Sequence, residues 1–294
     1  LAAEASALAV SLKAAVAAQW LDRWFARALR GSGEVLAADT LFLEHQPWTI
    51  LAGIATESQQ TTLLDAIDAE LRTDSPLGAR VRGDSASIPM LSVPGEGLFG
   101  GIWPSINHTL IWATVRARPE LAWNEFERNT LWSHTQTYPE VWVGAWSGPD
   151  AYNSDVSPHP GYTNAQALFP GQRYPIRNMH VHSQPLLSFL RLAGVETDVS
   201  GLLIHPADRA RELRLEAPTF GLSYGATGVT CHLATLGTSI AFDIVLPEGM
   251  SSDAIEVTST AQVETTVIAP ANIRLELTEP VAAEWRFTIA PAGG

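Results

Sequence analysis

The chain has 294 residues, 46% hydrophobic and 17% charged, a globular composition long enough for one large domain or two ordinary ones. A net charge of −13, with Lys13 the only lysine, argues against a partner bound through a phosphate backbone, and no run is long and apolar enough to cross a bilayer, so neither nucleic acid nor a membrane is expected as a partner. Cys231 stands alone, which excludes an internal disulfide and requires no oxidising compartment; a cytoplasmic location is expected.

Ala2 to Arg30 contains few breakers and carries Leu8, Val10, Leu12, Val16, Trp20, Leu21, Trp24 and Leu29 at helical spacing, which predicts one long helix, straight or kinked, ending at Gly31-Ser-Gly33. Its alanine-rich start is interrupted by Glu4 and Lys13 and has no basic stretch before it, so it reads as helix rather than signal peptide. The absence of an initiator Met leaves open that the chain is cut from something larger. Pro47 is expected as the first residue of a helix running through Trp48–Ala55, and Ser58 as the cap of Gln59–Thr73, amphipathic through Leu63, Leu64, Ile67 and Leu71. Residues 74–100 read as a long loop holding Arg80, Arg82 and Glu96, a length that points to function or to a missed element.

Ser105–Ala117 is expected as a helix, and Pro119 as the start of a partner continuing through Trp123, Phe126, Leu131 and Trp132. A Trp-rich turn to Asp150 and a second long loop over 151–179 follow, then a helix over Gln184–Leu192 closed by Gly194. From about Val199 the pattern changes to short runs of period two, beginning at Gly201, Leu213, Val229, Ser239, Ala254, Glu264, Ile273 and Glu284, which predicts an antiparallel sandwich. The expected division is therefore a helical part over 1–198 and a β-sandwich over 199–294, with no compositional linker between them.

Two polar, aromatic loops flank the helical hairpin that starts near Ser105. Antiparallel helices return the chain to its starting end, so both loops fall on one rim. Each carries Trp, Asn, Asp or Glu beside glycines, a composition suited to sugar rings, whose C–H faces stack on aromatics and whose hydroxyls bond amides and carboxylates. The plainer alternative is that the glycines mark turns and the tryptophans belong to the core.

The strings Phe42-Leu-Glu-His-Gln-Pro-Trp-Thr-Ile-Leu-Ala-Gly-Ile-Ala55, Gly100-Gly-Ile-Trp-Pro-Ser-Ile-Asn107, Ser147-Gly-Pro-Asp150, Leu192-Ala-Gly-Val195 and Gly201-Leu-Leu-Ile-His-Pro206 occur in an order that resembles the C-terminal part of glycoside hydrolase family 94, the cellobiose and chitobiose phosphorylases. The resemblance covers roughly residues 10–215 and implies a mainly α fold with appended β: part of an (α/α)6 toroid, as in six-hairpin glycosidases, followed by a β-sandwich. It also implies that the general-acid Asp lies ahead of Leu1. Of the family's phosphate contacts, Ser105 stands where a His is expected and Asn178-Met179 where Thr-Gly is expected. About half of the helices of such a barrel are present, and hairpins need neighbours to cover their apolar sides, so the missing barrel half is expected in cis or by oligomerisation.

Cleaving a glycosidic bond takes two carboxyl groups, about 6.5–9.5 Å apart in an inverting hydrolase. Asp150, after Gly-Pro, is the first choice for the base or a sugar-hydroxyl ligand; its structural alternative is a turn cap. Glu44 is the second, as an acid whose pKa is raised by desolvation, or simply as a backbone hydrogen-bond acceptor. Glu96 and Glu140 are the other loop carboxylates. Trp48, Trp103 and Trp146 are candidates for stacking, and Gln46, Asn107, Tyr152 and Asn153 for binding substrate. His180 and His182 are read as hydrogen-bonding groups, because His-x-His without a third ligand does not make a zinc site; Asp150, Asn153 and Asp155 lack the dense loop of a calcium site. His108 and His134 read as core or interface groups.

With no nucleophile elbow, phosphate loop or dinucleotide fingerprint, no metal and no cofactor are expected. The expected reaction is inverting hydrolysis of a β-linked gluco-oligosaccharide. The alternatives are phosphorolysis with inorganic phosphate, and a glycan-binding module that lacks the acid.

Overall fold

A computed structural model describes residues 1–83, 93–141, 150–162, 180–197, 201–234, 240–279 and 284–292. The chain forms two compact units, Leu1–Phe189 and Leu190–Gly294.

The first unit holds α1 (Ala2–Ala17), a short hairpin of β1 (Ala28–Leu29) and β2 (Val35–Leu36), then α2 (Gln46–Leu51), α3 (Glu57–Ile67), α4 (Pro104–Thr114), α5 (Pro119–Arg128), α6 (Leu131–Thr137) and most of α7 (His180–Leu192). The single helix expected over Ala2–Arg30 ends at Ala17 instead. Trp20 turns back to bridge Phe25, their rings meet edge-on at 5.0 Å, and Asp22 takes a left-handed φ of 67°. Adjacent residues of a continuing helix would diverge by about 100°, whereas this bend lets both Trp24 and Phe25 enter the core. No residue of α1 is buried.

Thr56, not Ser58, caps α3. Its hydroxyl accepts from Gln59 N at 3.3 Å, while the Gln59 side chain accepts from Thr56 N at 3.0 Å, a reciprocal box. The helix then widens into a π-turn over Asp68–Arg72 that carries Leu71 and Arg72 inward. Pro104 and Pro119 open α4 and α5 with φ already fixed for a helix. The partner helix expected to run past Leu131 breaks at Asn129, because the Thr130 hydroxyl accepts from Ser133 N and starts α6. Leu41, Leu43, Leu63, Leu64, Ile67, Leu71 and Leu110 form the centre of this unit. No helix among the described residues is long and apolar enough to cross a membrane.

The second unit contains β3 (Val195–Thr197), β4 (Gly201–Ile204), β5 (Leu213–Glu216), β6 (Phe220–Gly225), β7 (Gly228–Ala234), β8 (Ala241–Val245), β9 (Ile255–Ser259), β10 (Val263–Ala269), β11 (Asn272–Leu277) and β12 (Glu284–Pro291). They make two five-stranded sheets, β10-β11-β8-β4-β3 and β5-β6-β7-β12-β9. The sheets meet through Phe242 of the first and Trp285 and Phe287 of the second, at 5.1 Å in each case. Helices first and sheets after agree with the sequence reading. The all-antiparallel expectation does not hold, since β4 runs parallel to β8. Strands β3 and β6 were not expected: β3 is only three residues long, and Gly221 and Gly225 interrupt the period of β6.

Candidate functional site

Four segments far apart in sequence lie side by side as a small antiparallel ribbon in the first unit. Leu43 N donates to Val81 O and Gly83 N to Leu41 O, both at 2.9 Å; Val81 N donates to Gly101 O at 2.9 Å; Ile102 and Tyr152 exchange both backbone bonds at 2.8 Å. The directly opposed pairs are Phe42 with Arg82, Arg80 with Ile102, and Ile102 with Tyr152. Opposed residues in such a ladder point to the same face. That face therefore carries Phe42, Arg82, Arg80, Ile102 and Tyr152.

Its charge is unusual. Arg80 and Arg82 are only 9% and 6% exposed, and the Nε of each is buried without an acceptor among the described residues. The Arg82 guanidinium lies 5.5 Å from the centroid of the Phe99 ring, and Arg27 lies 5.0 Å from that of Phe42, both cation–π contacts. At the other end, Tyr152 is fully buried and meets the His134 ring edge-on at 3.9 Å. Burial pushes the Tyr152 phenol up and holds His134 down at about 3, so the imidazole is neutral at ordinary pH.

A buried carboxylate underpins the ribbon. Glu125 Oε1 accepts from Ala79 N at 2.8 Å, Asn107 Nδ2 at 2.7 Å and Asn129 Nδ2 at 3.0 Å, while Oε2 accepts from Arg72 Nε at 2.7 Å. Asn107 Nδ2 also donates to Ala79 O at 2.9 Å, so the residue before Arg80 is held at both backbone atoms. Gly78 has φ +106°, and a Cβ there would lie 2.3 Å from Asn129 Nδ2 and 2.6 Å from Glu125 Oε1. A side chain does not fit.

The residues singled out in the sequence fall in several places. Asn107 belongs to the Glu125 cluster. Gln46 is fully buried, and its amide brackets Phe25, donating to its carbonyl at 2.9 Å and accepting from its N–H at 3.1 Å. His45 Nε2 lies 2.9 Å from the same carbonyl, and burial lowers its pKa. Glu44 is half exposed and paired with Arg27, which differs from the desolvated setting imagined for an acid. Trp48 is 53% exposed, edge-on to Trp112, and opens onto a mainly apolar cleft of about 520 Å³ that Val16, Phe25, Ala52 and Ile54 also line. Trp103 donates from Nε1 to Gly97 O at 3.0 Å.

Asp150 is exposed, two residues before Tyr152. Asn153 is buried and donates to His159 O at 3.1 Å and to Glu96 Oε1 at 3.4 Å, and Ser157 Oγ reaches the same carboxylate oxygen at 3.2 Å. Trp146 lies outside the described residues, and at His180 and His182 the description covers only the helical backbone of α7. The structure thus gathers Asp150, Tyr152, Asn153 and Glu96 at one end of the ribbon and Glu44 near the other. Among the described residues no group of three or more His, Cys, Asp or Glu is placed to hold a metal.

Arg72, Glu125 and Asn129 escaped the sequence reading. A signal for Glu125 existed, because it shares the inward stripe of α5 with Leu121 and Ala122, where a carboxylate is buried only if it is bonded.

Compared with known proteins, the chain matches no family model and no curated sequence. Among solved structures it is similar to a GH127 β-L-arabinofuranosidase from Geobacillus stearothermophilus T6, with 12% identity and a TM-score of 0.28. The match covers 83% of this chain, and the chain spans only 40% of that enzyme. A similarity of this size assigns no family.

Proposed function

We propose that this chain is part of a carbohydrate-active enzyme built on an (α/α)6 barrel, cleaving a β-linked gluco-oligosaccharide by inverting hydrolysis. The observation that supports this reading is the ribbon, where the segment around Phe42 meets that around Ile102 through Arg80–Arg82, and Ile102 meets Tyr152, although these segments are far apart in sequence. Asp150 serves as base or as a ligand of a sugar hydroxyl at its exposed edge. The general acid and the remaining helices come from a completing segment, in the same polypeptide or in a second copy. No metal or cofactor takes part.

Incubation with cello-oligosaccharides, followed by NMR of the nascent anomer, tests the proposal. Release of the α-anomer from wild type, lost in Asp150→Asn while binding persists, is the expected outcome. A sugar 1-phosphate formed only when inorganic phosphate is added would replace hydrolysis by phosphorolysis. The pairing of Glu44 with Arg27 favours a second reading, a glycan-binding module without turnover. Under that reading oligosaccharide binds, Trp48→Ala weakens it, and the completed protein releases no product.

A further inference from the structure

A guanidinium remains charged at every working pH and cannot escape burial by losing its proton. Proteins that bury one therefore surround it with acceptors or with an opposite charge. Arg72 obeys this rule through Glu125 and Asn124. Arg80 and Arg82 do not: neither guanidinium makes an ion pair with, or donates a hydrogen bond to, any acceptor among the described residues. The contact of Arg82 with Phe99 supplies no hydrogen-bond acceptor, and the Nε of each arginine is buried with no partner among the described residues.

The two side chains also share a direction. Arg80 and Arg82 alternate with Val81, which is buried on the opposite side of the extended segment, and each opposes a residue of the same ribbon face. Positions two apart on a strand are roughly 6.6 Å from one another, a span over which two long forks converge on one small group. Their backbone is fixed by the Glu125 cluster through Ala79 and by ladder bonds at Val81 and Gly83, so these donors are ordered before anything binds. In a chain of net charge −13, they form a local site of opposite sign.

We infer that Arg80 and Arg82 form a subsite for a compact oxyanion, one carboxylate or phosphate group held by two planar forks. The source is the carboxylate of an acidic sugar residue or free inorganic phosphate. The sugar-borne case rests on the glycan reading above; the anion site itself does not.

Calorimetric titration of the whole chain at low salt with sodium glucuronate, inorganic phosphate and, as the neutral control, glucose separates the sources. One or both anions should bind at least about tenfold more tightly than glucose, and high salt should weaken the interaction. Arg80→Gln and Arg82→Gln should each reduce anion affinity by about tenfold or more. Glucuronate binding without phosphate identifies a sugar acid; phosphate binding without glucuronate identifies the free ion. Arg80→Lys and Arg82→Lys keep the charge and lose the fork, so they should also bind less tightly and provide the readout if the Gln variants fail to fold.

The inference is overturned if neither anion binds folded wild type, or if the variants bind as wild type does. Because binding is read without turnover, hydrolysis of neutral cello-oligosaccharide with no anion binding would sink this inference alone. Anion binding with no hydrolysis in any form would sink the proposed reaction alone.

Discussion

Two buried clusters of charge lie within a few residues of each other and have been resolved in opposite ways. Around Glu125, one carboxylate receives four hydrogen bonds, and the Arg72 guanidinium beside it has acceptors for its forks. Starting at the next residue after Ala79, Arg80 and Arg82 are buried almost as deeply without protein acceptors among the described residues. A satisfied cluster rigidifies what it touches. An unsatisfied one is retained at a cost that folding alone does not explain. The contrast assigns the first cluster to the fold and the second to a ligand, and the first also holds the second in position.

The largest effect should come from emptying the satisfied cluster. Glu125→Ala leaves Arg72, Asn107 and Asn129 without their shared acceptor and should cost about 3–5 kcal/mol of stability, measured by urea unfolding. Glu125→Gln keeps an acceptor oxygen and should cost less. If Glu125→Ala changed stability no more than a surface substitution does, the contrast between the clusters would collapse.

His134 represents a third solution, burial with loss of charge. Its folded pKa is about 3 against an ordinary 6.5, so between these values the unfolded chain takes up a proton that the folded chain refuses. Stability is fully present above about pH 6.5 and falls as the pH is lowered through this window, by on the order of 5 kcal/mol at most. His134→Phe should flatten that part of the pH–stability profile. An unchanged slope would mean that the imidazole is not kept neutral by the fold.

Gly78→Ala tests the cluster from its backbone side. A methyl group at φ +106° would stand against Asn129 and Glu125, and the combination of strain and collision should cost about 1–3 kcal/mol. A neutral result would show that the cluster yields easily and does not fix the ribbon.

Regular patterns were legible in the sequence, and long-range convergence was not. The alternation in Glu284–Pro291 marks its strand without further help, and the helix starts expected at Ser105 and Pro119 fall within a residue of those observed. The end of α1 was hidden because the spacing from Trp20 to Leu29 remains helical in form, while the bend is driven by Trp24 and Phe25 packing into a core that the local sequence does not contain. Arg80 and Arg82 were visible within a presumed loop, but nothing nearby revealed that they would be buried. Their neighbours include Phe42 and Ile102, brought opposite them by the ribbon, and Phe99 beside Arg82. Trp48 illustrates the reverse error of scale, since it and its motif neighbour Gln46 were both read as binding substrate. The fold turns Gln46 inward onto Phe25 and leaves Trp48 exposed over a separate cleft.

The smallest expected effect belongs to Glu44 and Arg27. Their side chains are 52% and 37% exposed, so water screens the pair and competes for both partners. Arg27→Ala should therefore lower stability by less than about 1 kcal/mol, and Glu44→Gln should do the same. Neither resembles the removal of Glu125, because neither leaves a charge stranded in the core. If thermal melting shows a larger loss, the pair belongs with the Glu125 cluster as part of the fold, and Glu44 is removed from the list of groups open to a ligand. If stability is unchanged while Glu44→Gln alters oligosaccharide affinity, the surface pair joins Arg80 and Arg82 on the binding side of the contrast.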